Sequence, residues 1–150
     1  MKISVSELML DAGQKARAAS RRMAAASTAD KNKALLRLAE LLEAKKEDIF
    51  AANKQDLVKA KENGLKESFV DRLRVTEKVL RLMAEGARQT AALPDPVGEI
   101  SEMRRRPSGI QVGRMRVPLG VLGIIYESRP NVTVDAACLA VKSGNACILR

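Results

Sequence analysis

Polar side chains cluster near the end of the chain, directly after an apolar stretch: Glu127, Ser128, Arg129 and Asn131. Residues 117–150 predict an apolar strand, this polar loop, an amphipathic helix and a second apolar strand. That order of elements is typical of a parallel βαβ unit. In open α/β sheets, ligands bind at the carboxyl ends of the strands. The sequence therefore predicts a ligand site in this loop.

Asn131 has two candidate roles. Its side-chain amide can donate a hydrogen bond to an oxygen that becomes negative during attack on a carbonyl, an interaction worth about 3–4 kcal/mol. Asparagine is also well suited to cap the helix after Pro130, which is the commoner use of this residue type. Arg129 either clamps a carboxylate or phosphate or faces solvent. Residue spacing alone leaves both alternatives open.

The amino-acid composition limits the kinds of catalytic and metal-binding site that this chain can form. The chain has no histidine, so the commonest general base and metal ligand is absent. Its two cysteines, Cys138 and Cys147, make neither a disulfide framework nor a metal site, and no metal is expected. One lies on the inward face of the predicted helix and the other in an apolar strand. Such cysteines are usually buried and inert, so neither is expected to be a nucleophile.

The formal net charge of +9 suggests a nucleic-acid partner. However, aromatic residues make up only 2% of the chain, so the rings on which single strands stack are missing. A phosphate-bearing small ligand, or an acidic remainder of a longer chain, explains the charge at least as well. A cluster of arginines could follow phosphates, but a solvated strand edge or a subunit interface is the preferred interpretation. The cluster comprises Arg104, Arg105, Arg106, Arg114 and Arg116.

The elements that must position the loop follow from local signals. The first ninety residues predict helices: Ser4 and Glu7 form a capping box, a second helix starts at Ser27 or Thr28, and Thr76 opens a fourth. Residues 97–106 and 110–117 predict a two-stranded ribbon around a Pro-Ser-Gly turn. Val121 to Ile125 predict a strand buried on both faces. Gly120 and Gly123 do not form a phosphate-binding loop and are expected to allow close packing or a bend.

Apolar runs fall far short of the roughly 20 residues that a membrane helix needs. The N-terminus also lacks the features of a secretory signal, so a cytoplasmic location is expected.

Two stretches carry a specific resemblance: YESRPNVTVD at residues 126–135 and KSGNACILR at residues 142–150. Both resemble the gamma-glutamyl phosphate reductases, a family of the aldehyde dehydrogenase superfamily. Weaker similarity extends upstream through AANKQDLVKAKENGLKESFVDRL, LPDPVGEI and GRMRVPLG.

The resemblance implies an α/β, aldehyde-dehydrogenase-like fold. Residues 1–96 would be the helical part of the cofactor-binding domain, and residues 97–117 the β-ribbon of an oligomerisation region. Residues 118–150 would be the first βαβ unit of a Rossmann-like sheet. The family's nucleophilic cysteine motif has no counterpart here, so the catalytic domain is expected to lie outside these 150 residues.

The implied activity is NADPH-dependent reduction of L-glutamyl 5-phosphate to L-glutamate 5-semialdehyde, with phosphate release, in proline biosynthesis. It would proceed through a thioester on a cysteine outside this chain. The implied enzyme is a homo-oligomer without nucleic-acid or membrane partners. Asn131 matches the oxyanion-stabilising asparagine, and Glu127, Ser128, Arg129 and Pro130 match a loop beside the nicotinamide. Arg150 takes the place of a lysine near the adenosine ribose, where its planar fork suits a 2′-phosphate. A basic nucleic-acid-binding module and a non-catalytic interaction subunit are the alternatives.

Overall fold

A computed structural model describes residues 4–127 and 129–150, so the predicted site residue Ser128 lies outside the described residues. Five helices come first along the chain: α1 Val5–Ala24, α2 Thr28–Ala44, α3 Lys46–Glu62, α4 Glu67–Leu73 and α5 Glu77–Ala92. They are followed by β1 Ile100–Arg105, β2 Gln111–Met115, β3 Val121–Ile124, α6 Pro130–Lys142 and β4 Ala146–Leu149. No helix within the described ranges is both long and apolar enough to cross a membrane.

Side-chain caps set the starts of three helices, as the sequence predicted. Ser4 and Glu7 form the capping box of α1, Ser27 caps α2, and Thr76 accepts a hydrogen bond from the Val79 amide. Such caps satisfy backbone N–H groups that have no partner inside the helix. Thr76 nevertheless opens the fifth helix and not the fourth, because the seven-residue α4 precedes it. Seven residues are too few to show a repeating pattern of apolar side chains, so the sequence does not predict this helix.

The core lies where α2, α5 and α6 pack together. Leu35 and Ala39 of α2 meet Leu80 and Ala84 of α5, and Cys138 of α6 closes the cluster. Each of these side chains is at most 2% exposed. Burial of apolar surface on this scale is the main force that holds α6 on the helical layer. The βαβ segment is therefore attached to the N-terminal helices through a shared core.

The predicted ribbon is confirmed. Strands β1 and β2 pair antiparallel, with Ile100 opposite Met115, and Gly109 adopts a φ of 87° in the turn between them. Every residue of both strands is exposed. Arg114 pairs with Glu102 and Arg116 with Glu99 across the ribbon. Two of the five clustered arginines are thus paired with carboxylates, which agrees with a solvated edge or a subunit interface.

The predicted βαβ unit is also confirmed, since β3 and β4 pair in parallel and α6 connects them. The expectation that the first strand is buried on both faces is wrong. Val121 is 38% exposed and Ile125 is 85% exposed. The reason is that β3 has one strand neighbour, β4, within the described part of the chain, so much of its surface has nothing packed on it.

Candidate active site

The carboxyl ends of β3 and β4 come together with the loop that follows β3. The Arg150 amide donates to the carbonyl of Ile124 at 2.9 Å, and the Tyr126 amide donates to the carbonyl of Arg150 at 2.8 Å. Arg150 is thereby held beside the start of the loop that leads to α6. We call this region, residues 125–127 and 129–131 with Arg150, the carboxyl edge. It contains the described residues that the sequence predicted for the site.

The loop is tied to the helix that follows it. The Tyr126 hydroxyl and the Thr133 Oγ1 are hydrogen-bonded, which links the beginning of the loop to the first turns of α6. Glu127 and Arg129 between these anchors are exposed to solvent. The fold thus presents both charged side chains at the surface.

The start of α6 shows that one of the two roles considered for Asn131, that of helix cap, is wrong. Arg129 occupies the N-cap, without a side-chain cap, and Pro130 is the first helical residue. Proline favours this position because its fixed φ suits the helix and its missing N–H costs nothing there. Asn131 is therefore inside the first turn and does not cap the helix. Its half-buried amide Nδ2 instead donates to Asp135 Oδ2 at 3.3 Å.

The carboxyl edge is suited to an anionic ligand. The first turn of α6 contains no acidic residue, and its backbone N–H groups and dipole favour negative charge. The exposed guanidinium groups of Arg129 and Arg150 lie at the same edge. Two acidic side chains lie nearby: Asp135, in the second turn of α6, and Glu127, which faces an open cleft of about 500 Å³ beside the turn at Gly64. These donors fit a phosphate-bearing cofactor.

Neither cysteine has the character of a nucleophile. Burial, and secondarily the negative charge of Asp135, raises the pKa of the Cys138 thiol, which is 1% exposed. Burial also raises the pKa of Cys147, which lies within β4 opposite Leu122. A raised pKa keeps a thiol protonated and unreactive. Among the described residues, no group of three or more acidic or cysteine side chains is arranged to hold a metal ion.

Glycine and asparagine at the opposite end of the sheet keep the strands in register. Asn145 Oδ1 accepts a hydrogen bond from the Gly120 amide at 2.8 Å, just before β3 begins. Gly144 ends α6 with a φ of 71°, and a Cβ there would lie 3.0 Å from Pro118 Cγ. A larger residue would thus have to shift this turn. Gly120 also has a positive φ of 109°, in keeping with a bend and not with a phosphate loop.

Asp135 is a polar residue at this site for which the sequence suggested no role. It lines a groove of about 320 Å³ between α5 and α6, together with Gly86, Gln89, Thr90, Leu93 and Leu139. The available signal was its spacing, because residues four apart on a helix lie on the same face. Asn131 and Asp135 have this spacing.

The chain resembles known proteins over nearly its whole length. The family model described as aldehyde dehydrogenase family matches residues 4–150. A gamma-glutamyl phosphate reductase from Thermotoga maritima superposes with a TM-score of 0.88 at 45% identity, covering 94% of this chain and 34% of that one. The Saccharomyces cerevisiae protein of the same name gives 0.86 at 34% identity, covering 99% of this chain and 37% of that one.

The chain thus spans about a third of the length of these two solved structures. The expected fold, with a helical layer and small sheets of the aldehyde dehydrogenase type, is confirmed. Aldehyde dehydrogenases are oxidoreductases that use nicotinamide cofactors and act on small molecules, which agrees with an edge suited to anions. On its sequence and its fold, the chain belongs to the aldehyde dehydrogenase family.

Proposed function

We propose that this chain is the cofactor-binding part of an NADPH-dependent gamma-glutamyl phosphate reductase. The reaction is reduction of L-glutamyl 5-phosphate to L-glutamate 5-semialdehyde with release of phosphate, in cytoplasmic proline biosynthesis. The observation that carries the proposal is the carboxyl edge: Arg129 and Asn131 lie at the start of a helix whose first turn contains no acidic residue, and the backbone of Arg150 is hydrogen-bonded to the strand and loop that lead to it. The likeness to two reductases of that name supports the choice of substrate.

The proposed division of the chain follows its structural elements. Residues 1–96 form the helical part of the cofactor-binding domain, residues 97–117 an oligomerisation ribbon, and residues 118–150 the first βαβ unit. The catalytic domain, with the cysteine that carries the thioester, lies outside residues 1–150. That assignment agrees with the raised pKa values of both thiols described above.

Arg150 and the loop of the carboxyl edge hold the cofactor in this proposal. NADPH, when bound, supplies the hydride for the reduction. Arg150 binds the 2′-phosphate, because a guanidinium presents two parallel N–H groups to phosphate oxygens. Glu127, Ser128, Arg129 and Pro130 form the loop beside the nicotinamide end. The backbone hydrogen bonds of Arg150 with Ile124 and Tyr126 support this arrangement, because they place Arg150 beside the start of that loop.

Asn131 stabilises the oxyanion that forms when the acyl group is attacked. One hydrogen of its amide is directed to Asp135, and the other is free to bond to a negative oxygen. Its place in the first turn of α6 adds the positive end of the helix dipole at the same point. A donor fixed before the reaction begins is worth more than one that must reorient during it.

The ribbon supports the homo-oligomer in this proposal. It exposes apolar side chains along both strands, with Ile100 58%, Met103 55% and Met115 61% exposed. A two-stranded ribbon with an exposed apolar surface is marginal by itself in water. Cover from a second subunit would bury these side chains.

The decisive experiment is an assay of the full-length protein in the reverse direction, with glutamate semialdehyde, phosphate and NADP⁺. We expect NADP⁺ to be reduced only when all three are present. Absence of reduction would show that the proposed reaction is wrong. A basic nucleic-acid-binding module would instead bind polynucleotides with an affinity that falls steeply with salt.

Asn131→Ala tests the oxyanion role within the same assay. We expect kcat to fall about 100-fold to 1,000-fold, the usual loss for one such donor, while NADPH binding changes little. Asn63→Ala is the matched control, because Asn63 is exposed and caps α3 through its backbone N–H. An equal loss of kcat and cofactor affinity in Asn131→Ala would point to a structural role.

A further inference from the structure

We infer that Asp135 is a positioning residue that orients the Asn131 side chain toward the reacting oxygen, an inference that rests on the proposed function of Asn131. The two residues are one helical turn apart on the same face of α6. Asn131 Nδ2 lies 3.3 Å from Asp135 Oδ2. An ionised carboxylate only accepts hydrogen bonds, so it attracts the NH₂ group of the amide and repels its carbonyl oxygen.

This selection matters because the asparagine amide turns easily. The χ2 torsion of asparagine is broad and roughly two-fold, so a free side chain presents NH₂ and C=O to the same point in turn. A carbonyl oxygen aimed at an oxyanion would repel it. The contact with Asp135 engages one N–H and leaves the second N–H as the outward donor.

Asp135 is exposed at the surface of α6, on the side that faces α5. Its other oxygen, Oδ1, lies 3.6 Å from the point that a Cβ on Gly86 of α5 would occupy. Three residues further along α6, Cys138 is 1% exposed in the core shared with α5. Within residues 4–127 and 129–150, Asp135 takes part in none of the ion pairs found within 4.0 Å. In the described part of the chain, no cation competes with Asn131 for the carboxylate.

The hydrogen bond and the charge of Asp135 act in opposite directions. Orientation of the amide helps the reaction, whereas a negative charge close to a developing oxyanion hinders it. Asp135→Asn separates the two effects, because the C=O of the new amide can still accept from Asn131 Nδ2 while the charge is removed. Asp135→Ala removes both.

The experiment compares these variants in the full-length enzyme. For Asp135→Ala we expect kcat to fall about fivefold to tenfold, as for loss of one hydrogen bond, with an unchanged KM for NADPH. Asp135→Asn should regain wild-type kcat or exceed it. Glu85→Ala is the matched control. Glu85 Oε1 accepts a hydrogen bond from the side-chain Nε2 of Gln89 at 3.1 Å, and these two residues are four apart on α5, as Asn131 and Asp135 are on α6. This control variant should leave kcat unchanged.

A double-variant cycle shows whether Asp135 acts through Asn131. If it does, Asp135→Ala has no further effect on kcat in an Asn131→Ala background. An equal fall in both backgrounds would overturn the inference, and so would an Asp135→Asn enzyme as impaired as Asp135→Ala.

A second readout does not depend on turnover. In resting protein labelled with ¹⁵N-asparagine, Asp135→Ala should shift the two side-chain amide proton signals of Asn131, and Glu85→Ala should not. Unshifted signals in Asp135→Ala would overturn the inference. If the wild-type protein lacks reductase activity, the proposed function fails, while these signals still decide whether Asp135 holds Asn131.

Discussion

The ion pair between Lys31 and Asp95 is expected to stabilise the contact between α2 and the segment after α5. Lys31 Nζ lies 2.5 Å from Asp95 Oδ2, and their side chains are 2% and 12% exposed. The Thr28 hydroxyl donates to Asp95 at 2.7 Å, and the Val97 amide does so at 3.0 Å. The carboxylate is therefore surrounded by donors at the end of the helical layer.

The lowered pKa of Asp95 gives the size of this stabilisation of the folded state. Burial raises the pKa, but the hydrogen bonds from Lys31, Thr28 and Val97, with the charge of Lys31, outweigh it and lower the pKa from 3.8 to about 2. Because the folded-state pKa is the lower one, the contribution is present above pH 3.8 and is lost as pH falls through about 2. At 1.36 kcal/mol per pKa unit, it is about 2 kcal/mol.

Asp95→Asn should cost more than this at neutral pH, because it leaves the Lys31 ammonium buried without a countercharge. We expect about 3 kcal/mol, at the lower end for a broken buried pair since Asp95 is slightly exposed. The double variant Lys31→Met/Asp95→Asn should recover to within about 1 kcal/mol of wild type, since no buried charge is left. Asp11→Asn, which breaks the exposed Lys15–Asp11 pair, should cost less than about 0.5 kcal/mol.

Hydrogen exchange of peptides from α2 in the full-length protein measures these differences locally. A loss of about 3 kcal/mol corresponds to roughly 100-fold faster exchange in Asp95→Asn. The reasoning is refuted if Asp95→Asn exchanges like Asp11→Asn. It is also refuted if the double variant is no better protected than Asp95→Asn alone.

Two further predictions concern the cofactor and the helical layer. Arg150→Ala should weaken NADPH binding about tenfold or more and leave NADH binding nearly unchanged, because only NADPH has the 2′-phosphate. Binding titrations with both cofactors measure this, and an unchanged preference for NADPH over NADH would show that Arg150 does not bind the 2′-phosphate. Asn53→Ala should cost about 2 kcal/mol, since Asn53 is 6% exposed, donates to the Leu73 carbonyl and accepts from the Val75 amide, each at 2.8 Å. Thermal unfolding measures that loss, Asn53→Asp should be intermediate, and a wild-type melting temperature for Asn53→Ala would contradict it.

Local signals predicted much of the fold. Ser4, Ser27 and Thr76 marked helix starts because their side chains complete the hydrogen bonding of a first turn within three residues. The turn at Gly109 and the order of elements in residues 117–150 were similarly readable. Helix α4 was missed because seven residues form only about two turns.

The sequence predicted where the candidate site lies in the chain, but not the structural position of each of its residues. The sequence favours Asn131 as the helix cap, whereas the structure has the cap two residues earlier, at Arg129, because Pro130 takes the first helical position. The exposure of β3 depends on which elements pack against it, and no pattern within the strand reveals that. The contact of Asp135 with Asn131, and its position beside Gly86, depend on the folded helices and are not marked by any sequence motif.

The buried ammonium of Lys142 has a consequence for the order of folding. It donates to Asn32 Oδ1 at 2.6 Å and to the Ala91 carbonyl at 2.9 Å, partners that lie 110 and 51 residues earlier in the chain. Helices α2 and α5 therefore receive this link, and the apolar cover of Cys138, only after α6 has been synthesised. On the ribosome, the N-terminal helices must wait for the βαβ unit before they reach their final stability.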